Sequence, residues 1–331
     1  MVLDTGRNDW VQAVTFHPDG KHVLGGNSDG IRRWRFIDGR EVGKQTGMDL
    51  HAISVSRDHK WMVCGTSDGA SVWDGEIRAK VIQVEGTHLA WAVDVSPDST
   101  RFATGTVGFD SSASIWSITT GKRLVGPLRH NSYITGVQFS PDGERIATAC
   151  EAKLIRIFDS HGSDNVITIN TNVPSSLQPL AWSSDGHQIF AASQDKKIRT
   201  FDTSTGSQLA ESQILQDGNR GITSIALATN GNFIATYTRD SIWFLGASTL
   251  ARIGPVMIQD GGQVGSIAIS ANSSHLATGR HDGKIAIRDL GKILPDSYGP
   301  FHVSIYAPTL VACEVHCFLS PTLTNYSGIY S

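Results

Sequence analysis

A repeated pattern of short apolar segments and tight turns runs through most of the chain and constrains its fold more than any other feature. In the clear copies, an alternating apolar segment leads into a Pro-Asp-Gly-like turn, a second segment, an Asp-Gly-like turn and a third segment ending in a large side chain. Clear copies begin at Val14, Val137, Leu180 and Ile267, and weaker ones at Ile53, Val93 and Ile225. Units of this kind must bury their apolar faces against their neighbours.

The last residue of the third segment gives the repeat length. It recurs at intervals of 39 to 44 residues, at Trp34, Trp73, Trp116, Phe158, Phe201, Leu245 and Arg288. A period of ~40–45 residues with four strands per unit is typical of a β-propeller blade. The alternation has a period of two, whereas a helical array would show apolar residues at i, i+3 and i+4. We therefore expect an all-β fold, a seven-bladed β-propeller of four-stranded antiparallel blades.

The turn residues have physical reasons of their own. Pro18-Asp19-Gly20 and Pro141-Asp142-Gly143 place proline where φ near −65° is needed and glycine where φ can be positive. A second set of aspartates stands between the second and third segments, at Asp29, Asp68, Asp195, Asp240 and Asp282. We predict that these aspartates form turns and not a ring of carboxylates, because one per blade places them far apart around the rim.

Composition narrows the possible functions. The 28 basic and 31 acidic residues give a net charge of −3, which argues against binding driven by nucleic-acid phosphates. No run of 18 apolar residues exists and the N-terminus has no apolar signal segment, so we expect no membrane association. The four cysteines then indicate reduced thiols in a cytoplasmic protein. We predict that Cys64 and Cys150 pack in the core, and that the Cys313, His316 and Cys317 cluster is incidental and not a metal site.

The repeats resemble the WD40 repeat family over roughly residues 1 to 305. Trp73-Asp74, Phe158-Asp159 and Phe201-Asp202 match the signature dipeptide of that family, two of them with Phe in place of Trp. In appearance the chain is closest to the WD40 arrays of fungal multidomain signalling NTPases. The resemblance implies that Trp34, Trp73, Trp116, Phe158 and Phe201, with the hairpin aspartates, have structural roles.

One feature of that family is incomplete in every repeat. The resemblance implies a buried His–Ser/Thr–Asp–Trp hydrogen-bond network in each blade. The fourth repeat keeps His130 and Thr148 but has Ala152 where Asp is expected. We therefore expect these blades to depend mainly on apolar packing.

The ends of the repeat array leave the closure of the ring open. Residues 1–305 are expected to form the propeller and residues 306–331 a C-terminal tail outside the repeats, partly disordered in preference to an ordered strap. Met1 to Asp4 are one candidate for the outer strand of the last blade. Lys292 to Leu294 and Gly299 to Ile305 are the alternatives.

No arrangement of residues indicates catalysis. The chain has no G-x-S-x-G, H-E-x-x-H or Walker-type sequence. The glycine-rich segment 260–265 leads into a strand and not into the helix that a phosphate cradle needs. We therefore predict no catalytic residue, no cofactor and no metal.

The candidate site is carried over from the resemblance. In WD40 proteins, the positions at the start of each first strand and before each hairpin Asp surround the top of the central channel. The candidate partner-binding residues at these positions are Trp10, Gln12, His51, Trp91, Tyr133, Gln178, Arg239 and His281. Trp and Tyr are typical interface anchors. The alternative for Trp10 and Trp91 is that they cap the core between blades.

These observations favour a non-catalytic protein–protein interaction scaffold, with a protein or peptide partner bound on the top face and the chain itself a monomer. A carbohydrate- or small-molecule-binding propeller of the lectin kind is the first alternative, and a sensor domain from a larger signalling protein is the second. An enzyme that uses the channel mouth is least favoured. A lectin propeller should repeat its site in every blade, whereas here the top-face residues differ between blades.

Overall fold

The computed structural model describes residues 1–298 apart from 7, 109–110, 163–165, 172–174, 216–221, 223, 239–240 and 259–262, and for residues 175–179 it describes the backbone alone. Met1–Pro300 forms one compact unit. Residues 306–331 lie outside the described residues, so the expected tail, with Cys313, His316 and Cys317, stays a prediction.

Each of the seven repeats forms one four-stranded antiparallel sheet. Blade one contains β2 (Ala13–Phe16), β3 (His22–Asn27), β4 (Gly30–Arg35) and β5 (Glu41–Thr46). Blade two contains β6 (Leu50–Val55), β7 (Trp61–Thr66), β8 (Gly69–Asp74) and β9 (Lys80–Gln83). Blade three contains β10 (Ala90–Val95), β11 (Arg101–Thr106), β12 (Ser112–Ser117) and β13 (Arg123–Arg129). Blade four contains β14 (Ile134–Phe139), β15 (Arg145–Cys150), β16 (Leu154–Asp159) and β17 (Val166–Asn170).

The remaining blades follow the same order until the last strand. Blade five contains β18 (Ser175–Trp182), β19 (Gln188–Ser193), β20 (Ile198–Asp202) and β21 (Gln208–Glu211). Blade six contains β22 (Ser224–Leu227), β23 (Phe233–Thr238), β24 (Ser241–Gly246) and β25 (Met257–Ile258). Blade seven contains β26 (Val264–Ile269), β27 (His275–Arg280), β28 (Lys284–Asp289) and β1 (Val2–Asp4). The seven sheets confirm the predicted seven-bladed β-propeller, and among the described residues the one helical segment is the 3-10 turn Leu290–Lys292.

The N-terminus completes the last blade. Leu3 of β1 pairs with Ile285 of β28, and the Ile287 N–H donates to the Met1 carbonyl at 2.8 Å. The Thr5 N–H and hydroxyl both donate to the Gly283 carbonyl, at 3.0 and 2.7 Å. Of the three closures that the sequence left open, the structure therefore has the one made by Met1 to Asp4. Because β1 comes from one end of the chain and β28 from the other, this pairing holds the ring together.

The first strands of the blades line the centre of the ring. They contact one another in the order β2, β6, β10, β14, β18, β22 and β26, and β26 returns to β2. They enclose a channel with a cavity of about 290 Å³. Each first strand therefore begins at one mouth of the channel, so short segments distant in sequence meet there.

The turn between the first and second strands of a blade rests on one side-chain arrangement. In blade four the Ser140 hydroxyl donates to Asp142 Oδ1 at 2.5 Å and accepts the Arg145 N–H at 2.9 Å. Gly143 has φ of 78°, a conformation that costs other residue types more than glycine. The same Ser–Asp pair recurs with Ser56, Ser96 and Ser183. These local bonds explain why Asp stands at this position of most repeats.

The large side chains that end the third strands lie in the core between blades. The buried members are Trp34, Trp73, Trp116, Phe158, Phe201 and Leu245. Parts of the expected polar network accompany them. The Trp116 indole N–H donates to Thr104 Oγ1 at 2.9 Å, and His130 Nε2 lies 3.1 Å from Thr148 Oγ1. The cores of the described blades thus combine apolar packing with isolated polar pairs.

Candidate functional site

Trp10 lies at the top mouth, where the first and last blades meet. Its ring stacks on His281, with centroids 4.5 Å apart and an angle of 27° between the planes. Gly265 makes room for the indole, since a Cβ added there would stand 1.6 Å from Trp10 Nε1. Trp10 Nε1 is buried and has no hydrogen-bond partner among the described residues. Trp10 is therefore held by its neighbours while part of the ring stays accessible.

A second stack of the same kind lies on blades two and three. The rings of His51 and Trp91 stack with centroids 4.4 Å apart at 24°. His51 Nδ1 lies 2.8 Å from the Gln12 side-chain oxygen, and His51 Nε2 lies 3.1 Å from Ser67 Oγ. Ser67 Oγ in turn donates to Asp49 Oδ2 at 2.6 Å. The network joins blades one, two and three side by side at the rim of the channel.

The protonation of His51 follows from this network. The Ser67 hydroxyl donates its one hydrogen bond to Asp49. Toward His51 it therefore acts as the acceptor, for the Nε2–H of the ring. Desolvation by burial lowers the pKa of His51, although Asp49 opposes that effect, so the ring is neutral near pH 7. A neutral ring with its proton on Nε2 accepts at Nδ1. A hydrogen bond between Gln12 and His51 Nδ1 then requires the amide N–H to face the ring, in the place that the Gln12 side-chain oxygen holds in the structure.

Tyr133 is the most exposed of the three aromatic candidates. It is 48% exposed just before β14, while Trp10 and Trp91 are half-buried. Leu89, one blade before Tyr133, is 39% exposed and has φ of 46°, an uncommon value for leucine. Each tryptophan ring is thus partly packed and partly accessible, and its role as a binding anchor stays a prediction.

Two candidate residues lie where the structure describes no side chain. Arg239 lies outside the described residues, and Gln178 lies in β18 where only the backbone is described. The hairpin aspartates Asp29, Asp68, Asp195 and Asp282 stand in the turns between second and third strands, and Asp240 lies outside the described residues. Asp195 forms an ion pair with Arg199 at 2.5 Å, and Asp282 forms one with Arg280. Each of these two carboxylates is thus paired with an arginine of its own blade.

Sequence reasoning missed a pair of matching carboxylate–serine contacts. The Ser28 hydroxyl donates to Asp9, as Ser67 donates to Asp49 one blade later. In both cases the aspartate precedes the first strand and the serine precedes the hairpin Asp-Gly. The signal for these contacts in the sequence is the similar separation of aspartate and serine, which is 19 residues in one pair and 18 in the other. Blades one and two therefore present a similar acidic edge to the top mouth.

The cysteines have the positions that the sequence predicted for them where the structure describes them. Cys64 and Cys150 are buried, on the second strands of blades two and four. Burial raises the pKa of the Cys64 thiol to about 12, so this thiol stays protonated at neutral pH.

No helix in the described part of the chain is long and apolar enough to cross a membrane.

Comparison with known proteins identifies the repeats. The family model for the "WD domain, G-beta repeat" matches residues 2–34, 80–117, 122–159, 171–202 and 255–289. Protein HIR1 of Yarrowia lipolytica is 28% identical over 151 residues, covering 46% of this chain and 12% of that protein. The small ribosomal subunit protein RACK1y of Oryza sativa is 27% identical over 127 residues, covering 34% of this chain and 36% of that protein.

A third relative is a component of chromatin assembly factor 1 from Gallus gallus. It is 22% identical over 166 residues, covering 50% of this chain and 26% of that protein. The matches thus span about a third or less of the length of these relatives. None of the three carries the name of a fungal signalling NTPase, so the comparisons do not support that narrower resemblance.

Proposed function

The chain belongs to the WD40 repeat family, and on that basis we propose that it is a non-catalytic scaffold for protein–protein interaction. A protein or peptide binds its top face, and the chain acts as a monomer in the cytoplasm without nucleic-acid or membrane partners. A shared fold does not determine function, so the proposal depends on the residues of the site.

The observation that carries the proposal is the set of accessible aromatic rings at one mouth of the channel. Tyr133 is 48% exposed, and Trp10 and Trp91 each keep part of a ring open above a histidine. Tyr and Trp bring large contact areas with few side-chain torsions to immobilise, and such residues dominate binding energy at many interfaces. A partner that covers these rings would also cover the Asp9–Ser28 and Asp49–Ser67 edge.

The residues of the site differ from blade to blade, which supports one composite surface and not a repeated sugar site. The position of Trp10 in blade one is held by Asp49 in blade two, Leu89 in blade three and Tyr133 in blade four. A lectin with one site per blade would need one residue type at these positions. The scaffold therefore remains preferred to the carbohydrate-binding alternative.

The test is affinity capture with the intact chain, followed by binding measurements on the partner identified by mass spectrometry. We expect the W10A/W91A/Y133A variant to lose the partner, with each truncation costing ~2 kcal/mol or more for a dominant anchor. The matched control is I37A/V81A/L124A, which truncates three exposed aliphatic side chains away from the top mouth. Circular dichroism melts establish that both variants are folded.

The opposite pattern would contradict the proposal. If the control variant loses the partner and the aromatic variant keeps it, the partner binds the outer surface of the propeller. Binding that falls steeply with salt would also contradict it, because apolar anchors are weakly screened by ions.

A further inference from the structure

The turn between β2 and β3 departs from the arrangement of the other blades. Five blades place serine at the first position of this turn, at Ser56, Ser96, Ser140, Ser183 and Ser270. Blade one has His17 there and keeps the aspartate of the turn as Asp19. It also begins its second strand with His22, where blades three and four have arginine. A serine would satisfy the turn, so its replacement by a buried imidazole needs another reason.

The two imidazoles converge on one carboxylate oxygen. His17 Nδ1 lies 3.0 Å and His22 Nδ1 lies 2.6 Å from Asp19 Oδ2. All three atoms lie within 4.8 Å of one another. The His17 side chain is 2% exposed, and those of Asp19 and His22 are each 19% exposed. The set is thus buried on the side of His17 and accessible to solvent at Asp19 and His22.

The hydrogen bonds around the set cannot all form at once. His17 Nδ1 accepts the Asp19 N–H at 3.3 Å, so it has no proton to give to Asp19 Oδ2. His22 Nδ1 lies toward Asp19 Oδ2 and also 3.0 Å from an Arg33 guanidinium nitrogen. If His22 Nδ1 donates to the carboxylate it cannot accept from Arg33. Electron-pair donors therefore face one another, an arrangement that a cation satisfies.

We propose that His17, Asp19 and His22 form a three-ligand site for a divalent transition-metal cation. Imidazole nitrogen and carboxylate oxygen are ligands of Zn²⁺ and its neighbours, at distances of about 2.0–2.2 Å. Binding requires both Nδ1 atoms to be unprotonated. His17 Nδ1 already meets this condition, because it accepts the hydrogen bond from the Asp19 N–H. The opposite nitrogen of His17, Nε2, is buried without a partner among the described residues. The hydrogen bond that the cation replaces at this ring is the one from the Asp19 N–H, because Nδ1 has a single lone pair.

Arg33 competes with the cation for these ligands. It is 3% exposed and stands where most other blades have an apolar residue, such as Val72 or Ile115. Its guanidinium lies 3.4 Å from Asp19 Oδ2 and donates to Glu76 through its other terminal nitrogen. The positive charge of Arg33 lowers the affinity of this carboxylate for a second cation. When the cation binds, Glu76 remains a hydrogen-bond partner of the Arg33 guanidinium.

The test is a titration of the tag-free, chelator-treated chain with ZnCl₂ by calorimetry, repeated with Co²⁺ to follow its visible absorption. We expect about one cation per chain and a melting temperature that rises with cation concentration. H22Q and D19N should each weaken binding at least ~10-fold, because loss of a supporting partner alone costs 10–100-fold. R33M should tighten binding, since it removes the competing charge.

The matched control is H275Q, which changes the histidine at the equivalent position of blade seven, where Ser270 and Asn272 form the turn. It should bind as the original chain does. Absence of binding for Zn²⁺, Co²⁺ and Ni²⁺ overturns the proposal, as does full binding by both H22Q and D19N. H22Q changes a surface-accessible side chain, so it gives a readout even if D19N does not fold.

Discussion

Leu3 offers a direct measure of how much the N-terminal strand contributes to ring closure. In β1, Val2 is 57% exposed, whereas Leu3 is 3% exposed and packs in one cluster with residues of blades one and seven. That cluster includes Trp34 and Ile285. We expect Leu3→Ala to lower the free energy of unfolding by ~2–4 kcal/mol, within the range for a buried leucine truncated to alanine.

Val2→Ala is the matched control in the same strand. Its side chain points to solvent, so we expect a change within about 0.5 kcal/mol. Urea unfolding followed by fluorescence gives both values, and equal slopes of the two transitions would show that the denatured states are comparable. Equal midpoints for Leu3→Ala and Val2→Ala would refute the reasoning, because β1 would then contribute no buried contact to the folded state.

A deletion extends the same prediction to the backbone. Removal of residues 1–6 eliminates Leu3 together with the bonds that Met1 and Thr5 make to Ile287 and Gly283. We expect a loss of stability larger than that of Leu3→Ala, and no such loss on removal of residues 307–331. The reverse order would show that the C-terminal segment closes the ring in solution.

Further outcomes follow from individual contacts. Gly265→Ala should displace the Trp10 indole and lower the melting temperature, since the new Cβ would stand 1.6 Å from Trp10 Nε1; an unmoved indole signal by NMR would contradict this. Burial, with a smaller effect of Arg156, lowers the pKa of His130 to about 4 from 6.5. As the pH is lowered, the unfolded chain therefore binds this proton before the folded chain does. The free energy of unfolding should fall by up to ~3 kcal/mol between pH 6.5 and about 4. His130→Gln should remove that part of the pH dependence. Iodoacetamide at pH 8 should leave Cys64 unmodified in the folded chain and modify it after unfolding, as peptide mass spectrometry can establish.

The sequence predicted the blades because their elements are local. A strand, a Ser–Asp turn such as Ser140 with Asp142 and a second strand are complete within about twenty residues, so each repeat carries its own signal. The closing strand carried no comparable signal. It has three residues, Val2–Asp4, and its partner β28 stands at the other end of the chain. Its register depends on the ring as a whole, which local pattern cannot specify.

The sequence predicts the positions of the candidate site residues but not the contacts between them. Trp10 and Trp91 were selected because they begin first strands, but their stacking histidines come from neighbouring blades. The Trp10–His281 stack also depends on Gly265, a residue that the sequence did not distinguish from other glycines. Contacts between blades are set by the twist and spacing of whole sheets, so they become visible only when the ring is assembled.

Repetition supplies an internal control for the two proposed sites. A residue that the fold requires should recur at equivalent positions, as the serine of the turn does at Ser56, Ser96 and Ser140. Trp10 at one end of β2 and His17 with His22 at the other do not recur in this way. The two sets lie at opposite ends of the same strand and share no described contact.

The two sites should therefore respond independently. We expect W10A/W91A/Y133A to bind Zn²⁺ as the original chain does, and H22Q to bind the protein partner with unchanged affinity. Calorimetry on both variants with both ligands measures the coupling, which should be within ~0.5 kcal/mol for sites without shared partners. A larger coupling would mean that cation binding at the turn of blade one shifts the top mouth, and that the cluster regulates partner binding through β2.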